Sequence, residues 1–327
     1  MVPILTNDDA PPGGSPPGGT IALRRPPLQT APLVLSSPHS GRRYPAAFLS
    51  ASRLDPLGIR RSEDSFVDEI FGAAPGVGAP LLHALFPRAY LDPNREPWEL
   101  DPDMFEDPLP AFVNTASRRA RDGFGTVARV VSSGAEIYRR KLHFDAAAGR
   151  VQALYMPYHE ALRTLIDDTR RRFGFAILLD CHSMPSTEGP PAGGFLARRP
   201  DFVLGDCHGT SCAPALIGRA ESWLQEMGYD VERNAPFPGA FITSHYGAPE
   251  IGVHALQIEV NRALYMDERA MTRNGGFGRL ARHLTELLGM LARLSPMELG
   301  PLPPLVDAAK KKAVSVRIRP KCREEMP

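Results

Sequence analysis

"VQALYMPYHEALRTLIDDTRRRFGFAILLDCHS", residues 151–183, reads as two elements joined almost without a loop. The stretch up to Gly174 is a long amphipathic helix, and a glycine is the usual residue just past a helix end. Phe175 to Leu179 is then a continuous apolar run, a strand driven through a core, which stops abruptly at Asp180-Cys181-His182-Ser183. In open α/β sheets ligands bind in the crevice outside the carboxyl ends of the strands, so a strand that ends on a histidine marks where a site would lie.

Similar units flank this one. "APLVLSSPHSG" (31–41) is an apolar strand broken by Pro38 and Gly41, and "SEDSFVDEIFG" (62–72) carries Phe66, Val67, Ile70 and Phe71 at helical spacing. "PLLHALFPRAYLDPNR" (80–95) is strand and loop material, and residues 96–128 are loop-rich, with many Pro and Asp. "ALIGRAESWLQEMGY" (215–229) and "GRLARHLTELLGMLARL" (278–294) are further helices, on either side of the glycine-containing loop "FPGAFITSHYG" (237–247) and the strand "HALQIEVNR" (254–262). Strands alternating with helices predict an α/β sheet. Residues 1–30, rich in Pro and Gly, are expected to be a disordered leader, residues 31–298 the folded domain, and 299–327 a Pro-rich, then basic tail.

The chain of 327 residues carries 38 basic and 37 acidic side chains, a net charge of +1, which leaves no bulk field for nucleic acid or an acidic membrane. No stretch approaches the roughly 20 apolar residues that cross a bilayer. The N-terminus lacks the pattern of a signal peptide. Cys181, Cys207, Cys212 and Cys322 contain no CxxC pair, so a reducing, cytoplasmic setting is expected. There is no GxGxxG after a strand, no Walker loop and no GxSxG elbow. "CHGTSC" (207–212) offers two thiols and a histidine without a fourth ligand nearby, a weak metal pattern.

The polar residues gather at strand ends. "LVLSSPHSG" ends on His39, "ILLDCHS" on His182, "ALQIEVNR" encloses Glu259, and "LDPNR" carries Asn94 and Arg95. Each has an ordinary structural explanation: a hydrogen-bonded histidine, a turn cap, a buried ion pair with Arg262, a surface turn. A glutamate inside a strand is nevertheless costly to bury without a partner or a raised pKa. Two histidines and a carboxylate with an open position form the catalytic zinc arrangement, in which a further glutamate serves as proton carrier and arginines hold a substrate carboxylate.

Taken together and in order, "SPHSGRRYP" (37–45), "EDSFVDEIF" (63–71), "LDPNR" (91–95), "SSGAEIYRRKL" (132–142), "PYHEAL" (157–162), "DCHSMPS" (180–186), "PFPGAFITSHYG" (236–247) and "HALQIEVNRALYMDE" (254–268) resemble the N-formylglutamate amidohydrolase family. The resemblance spans about Pro32 to Leu294. It implies a three-layer α/β/α fold with a central mixed sheet, of the zinc-exopeptidase (phosphorylase/hydrolase-like) kind, similar to zinc carboxypeptidases and aspartoacylase-like deacylases. It also implies hydrolysis of N-formyl-L-glutamate to formate and glutamate, a step linked to histidine breakdown, with a small molecule as partner and no nucleic acid or membrane.

On this resemblance His39, an acid and His182 hold zinc or a similar divalent ion, and Glu259 is general base and then acid. Asn94 and Arg95 grip a carboxylate. The acid is expected to be Asp64, at the edge of the apolar stripe of a helix, with Glu63 as the fallback. Arg129, Arg139 and Arg140 are candidates for a second carboxylate contact, His159 for the substrate side, Gly239 for close backbone approach, and Arg262 for orienting Glu259 or the substrate. A related deacylase or carboxypeptidase-like peptidase, and a binding protein that has lost the chemistry, are the alternatives.

Overall fold

A computed structural model describes residues 19–187 and 199–300. Its centre is a sheet of seven strands: β1 (Ile21–Arg24), β2 (Leu33–Ser37), β3 (Leu81–Ala84), β4 (Ala176–Met184), β5 (Phe202–Gly205), β6 (Val231–Arg233) and β7 (Val253–Asn261), in the order β1-β3-β2-β4-β7-β5-β6. Strands β3, β2, β4 and β7 run parallel, β1 pairs antiparallel with β3, β5 pairs antiparallel with β7, and β6 pairs parallel with β5. The mixed α/β architecture predicted from the sequence is the one observed.

The parallel strands are apolar on both faces because helices cover both. One face, with Leu33, Leu35, Ile177, Leu179, Cys181, Ile258 and Val260, packs under the helices Pro214–Glu226 and Phe277–Leu291. The other face begins equally apolar, with Val34, Leu82, Leu178 and Ala255 under the helix Met156–Phe173. That helix ends at Gly174, whose φ of +82° closes it as expected. Further along the strands this second face turns polar, at Ser36 on β2, Asp180 and His182 on β4, and Gln257 and Glu259 on β7. A third cluster, with Tyr44, Phe48, Ile59, Leu100, Val127 and Ile137, gathers the loop-rich stretch beside that end of the sheet.

Three expectations are corrected. The leader does not extend to residue 30, because Ile21–Arg24 is a strand on the sheet edge; residues 1–18 lie outside the described residues, as does the tail after Gly300. The stretch 63–71 is not one helix. Only Val67–Ile70 is helical, and Phe66 before it sits at φ +67°, so Glu63 and Asp64 belong to a turn rather than a helix face. The helical stretch before β4 begins earlier than residue 151, with a helix Phe144–Arg150 and a π-turn Val151–Tyr155 leading into Met156–Phe173. Among the described residues no helix is long and apolar enough to cross a membrane.

The loop after β2 that carries His39 is seated by Gly41. A Cβ there would lie 2.0 Å from the carbonyl oxygen of Phe86, which is backbone that cannot swing aside. Gly41→Ala is therefore expected to cost ~1–3 kcal/mol or more in urea unfolding. Gly149→Ala, on an open helix surface with nothing within 4 Å, should be neutral or stabilising by a few tenths to ~1 kcal/mol. Equal stabilities for the two variants would show that the His39 loop does not depend on this contact.

Candidate active site

His39, Asp64 and His182 come together although they stand far apart in the sequence. Their ligand atoms all lie within 4.8 Å of one another, and among the described residues they are the one group of His, Cys, Asp or Glu placed to hold a metal ion. His39 follows β2, Asp64 sits on the turn before Val67–Ile70, and His182 is near the carboxyl end of β4. The two loops are stitched together by the Asp64 amide, which donates to the His39 carbonyl at 3.0 Å. Glu63, the alternative acid, faces elsewhere: it accepts from Tyr44, Arg60 and Ser65 in a buried structural cluster.

Both imidazoles are oriented in the same sense. His39 Nε2 meets Asp92 Oδ1 at 2.7 Å and His182 Nε2 lies 3.0 Å from Asp180 Oδ2, so each Nδ1 is turned toward Asp64, at 3.3 and 3.1 Å. Among the described residues the contact with Asp64 is the one polar contact of the buried His39 Nδ1. A carboxylate behind each histidine, with both Nδ1 atoms gathered round a third acid, forms a donor set that suits a divalent ion. The groups also act strongly on one another. Burial would raise the Asp64 carboxyl, but hydrogen bonds from His182 and His39 outweigh it and hold the group well below its usual range. Burial would likewise lower His182, yet the Asp180 charge and hydrogen bonds to Asp180 and Asp64 hold it well above.

Glu259 lies directly beside His182 in the parallel pairing of β4 with β7. Burial pushes its carboxyl up to about 7, with the charge of Asp64 adding and those of His182, Arg88 and Arg262 opposing. Arg262 bonds not to Glu259 but to Asp64 Oδ1 at 3.0 Å and to Ser183 Oγ at 3.2 Å, so it anchors the acid of the histidine cluster.

Asn94 is a tie between elements. Its Oδ1 accepts from the Ile242 amide at 2.7 Å, and its Nδ2 reaches Asp180 at 3.2 Å and His182 at 3.1 Å. Arg95 is buried, with Nε on the Phe124 carbonyl and Nη1 on that of Asn94, and among the described residues it has no carboxylate at ion-pair distance. Arg129 pairs with Asp101 at 2.6 Å, and Arg139 Nε binds the Ser52 carbonyl, while Arg140 is exposed. Gly239, at φ +125°, is required by its neighbours: a Cβ there would meet Cys207 Sγ at 2.7 Å.

Sequence reasoning quoted Asp92, Asp180, Arg88 and Gln257 within longer stretches but gave none of them a role. Asp92 holds His39, and Arg88 holds Asp92 at 2.8 Å while its charge acts on Asp64 and Glu259. The signal for Arg88 was its position in "LFPRAY", just past the end of a strand. Cys207 and Cys212 are buried and lie outside the metal group.

A sequence model of the N-formylglutamate amidohydrolase family matches residues 31–266. The chain is similar to N-formylglutamate deformylase of Pseudomonas aeruginosa, 32% identical over 243 residues that cover 73% of this chain and 84% of that protein. It is also similar to N-formylglutamate deformylase of Pseudomonas putida, 30% identical, covering 72% and 82%. Among solved structures it resembles N-formylglutamate amidohydrolase from Ralstonia eutropha JMP134 at 38% identity and a TM-score of 0.77, covering 84% of this chain and 97% of that one. A gene product of Agrobacterium tumefaciens, 18% identical with a TM-score of 0.60, covering 84% and 95%, shares the fold.

His159, from the Met156–Phe173 helix, braces the Asp92–Asn94 loop. Its Nε2 bonds the Pro93 carbonyl at 2.8 Å and its Nδ1 meets Tyr246 Oη at 3.0 Å. Burial pushes its pKa down to about 4. An unfolded histidine titrates near 6.5, so between about 4 and 6.5 the unfolded state binds the extra proton, and this site loses stability as pH falls through that window. The stability gap between the wild type and His159→Gln should therefore narrow from pH 7 to 4.5, by up to roughly 3 kcal/mol in urea unfolding. A gap independent of pH would contradict the neutral, buried state of His159.

Proposed function

The chain belongs to the N-formylglutamate amidohydrolase family, and from that premise we propose that it hydrolyses N-formyl-L-glutamate, or a close N-formyl acidic amino acid, to formate and the free amino acid. His39, Asp64 and His182 would hold zinc or a similar divalent ion. Such an ion supplies Lewis acidity, bringing the pKa of a bound water to about 7 and polarising a carbonyl.

The protein's own groups account for the rest. Glu259 takes a proton from the attacking water as the water oxygen joins the formyl carbon. It then delivers that proton to the nitrogen as the C–N bond breaks. A carboxyl held near neutrality can both accept and give. Arg88, whose charge already acts on Asp64 and Glu259, offers its guanidinium to the negative charge that develops on the carbonyl oxygen. Arg95 is the group suited to a substrate carboxylate, because it is buried, has no carboxylate at ion-pair distance among the described residues, and a guanidinium matches a carboxylate with two parallel hydrogen bonds. Arg129 is less suited, since Asp101 already occupies it. Asn94 and His159 support the loop that carries Arg95.

The observation that supports this reading most is the convergence of three ligand side chains from separate segments beside a buried strand glutamate whose only hydrogen bond, among the described residues, comes from Gln257. Glu259→Gln should leave metal content unchanged and reduce formate release from N-formyl-L-glutamate at least ~100-fold. Undiminished turnover in that variant would remove Glu259 as the proton carrier.

A further inference from the structure

Gln257 stands two residues before Glu259 on β7, so the two side chains share the cleft face of the sheet. It is 3% exposed, and its Nε2 donates to Glu259 Oε1 at 3.1 Å. Its neighbours in the sheet are Asp180 on β4 and Gly205 on β5. Gly205 is roofed by the loop Phe237–Gly239, since a Cβ at Gly205 would lie 2.7 Å from the Phe237 carbonyl oxygen. Gln257 is thus enclosed on both flanks.

A purely structural role explains this residue poorly. Among the described residues its Oε1 is buried without a partner, which costs ~1–3 kcal/mol, and a methionine of the same length would fill the space without that cost. What an amide has and a methionine lacks is a donor for Glu259. An ionised carboxylate only accepts, so the amide nitrogen must face it. Among the described residues this is the one hydrogen bond that Glu259 receives. Oε1 of Glu259 is thereby tied and Oε2 left free.

We propose that Gln257 is the positioning residue of the reaction, setting the rotation of the Glu259 carboxylate so that Oε2 is the oxygen that carries the proton. The inference rests on the reading of Glu259 given above. Gln257 need not touch the substrate, so its effect falls on kcat rather than on KM.

Gln257→Met should lower kcat for N-formyl-L-glutamate ~10- to 100-fold while KM, metal content and melting temperature stay near wild type. Gln257→His, whose Nε2–H can occupy the place of the amide nitrogen, should recover much of that loss. Gln257→Met added to Glu259→Gln should cost nothing more, because the carboxylate it positions is gone. Wild-type kcat in Gln257→Met, or the same additional loss in both backgrounds, would overturn the proposal. If Gln257→Met does not fold, a folded but inactive Gln257→His overturns it and an active one supports it. Full turnover in Glu259→Gln alone is a separate result: it defeats the proton-carrier reading, and with it the premise for Gln257.

Discussion

The site depends on the register between β4 and β7. Nine consecutive residue pairs, from Ala176 beside Val253 to Met184 beside Asn261, align Asp180 with Gln257 and His182 with Glu259. Because side chains alternate along a strand, a slip of one residue would turn His182 or Glu259 into the apolar layer and put Cys181 or Ile258 in the cleft. The opposite face resists that slip. There the row Leu179, Cys181, Leu256, Ile258 and Val260 stays apolar along its length and packs under two helices. Burying side chains such as Ile258 and Val260 contributes about 1.5–3 kcal/mol each, enough to hold in place a polar row that would not choose burial.

That polar row is tolerable because its charges answer one another. Asp92 faces His39 and Arg88, Asp180 faces His182 and Asn94, and Asp64 faces both histidines and Arg262. Removing one partner from such a set leaves an uncompensated buried charge, a loss of about 3–5 kcal/mol, whereas in the intact set mutual attraction offsets part of the desolvation. Two groups stand apart from this mutual satisfaction. Burial, with the charge of Asp64, works against an ionised Glu259, and among the described residues Arg95 has no carboxylate at ion-pair distance. These are the two groups to which the proposed function gives the proton transfer and the substrate carboxylate.

Much of this was legible in the sequence for a simple reason. A strand that is apolar until its last residues announces both its place in the sheet and the point where the sheet meets solvent, and "ILLDCHS" and "ALQIEVNR" did so clearly. The long helix before β4 was legible from its apolar period and from Gly174. The turn at Glu63-Asp64 was not. Phe66, Val67 and Ile70 mimic helical spacing, but the left-handed Phe66 interrupts it, and the choice of Asp64 rests on tertiary contact with His39 and His182 rather than on a helix edge. The short strands β1, β5 and β6 hold three or four residues each, too few for period to speak. Arg88 and Gln257 were hidden because their roles exist only through neighbours distant in the chain.

The central claim is that the His39, Asp64 and His182 cluster is a metal centre on which amide hydrolysis depends. Elemental analysis of protein purified without chelators, run alongside formate release from N-formyl-L-glutamate, tests it most directly. The account predicts about one divalent ion per chain, as expected of a site with three protein ligands, with release abolished by a chelator and restored by zinc or a similar ion. Formate release that persists in protein shown to be free of metal would contradict it.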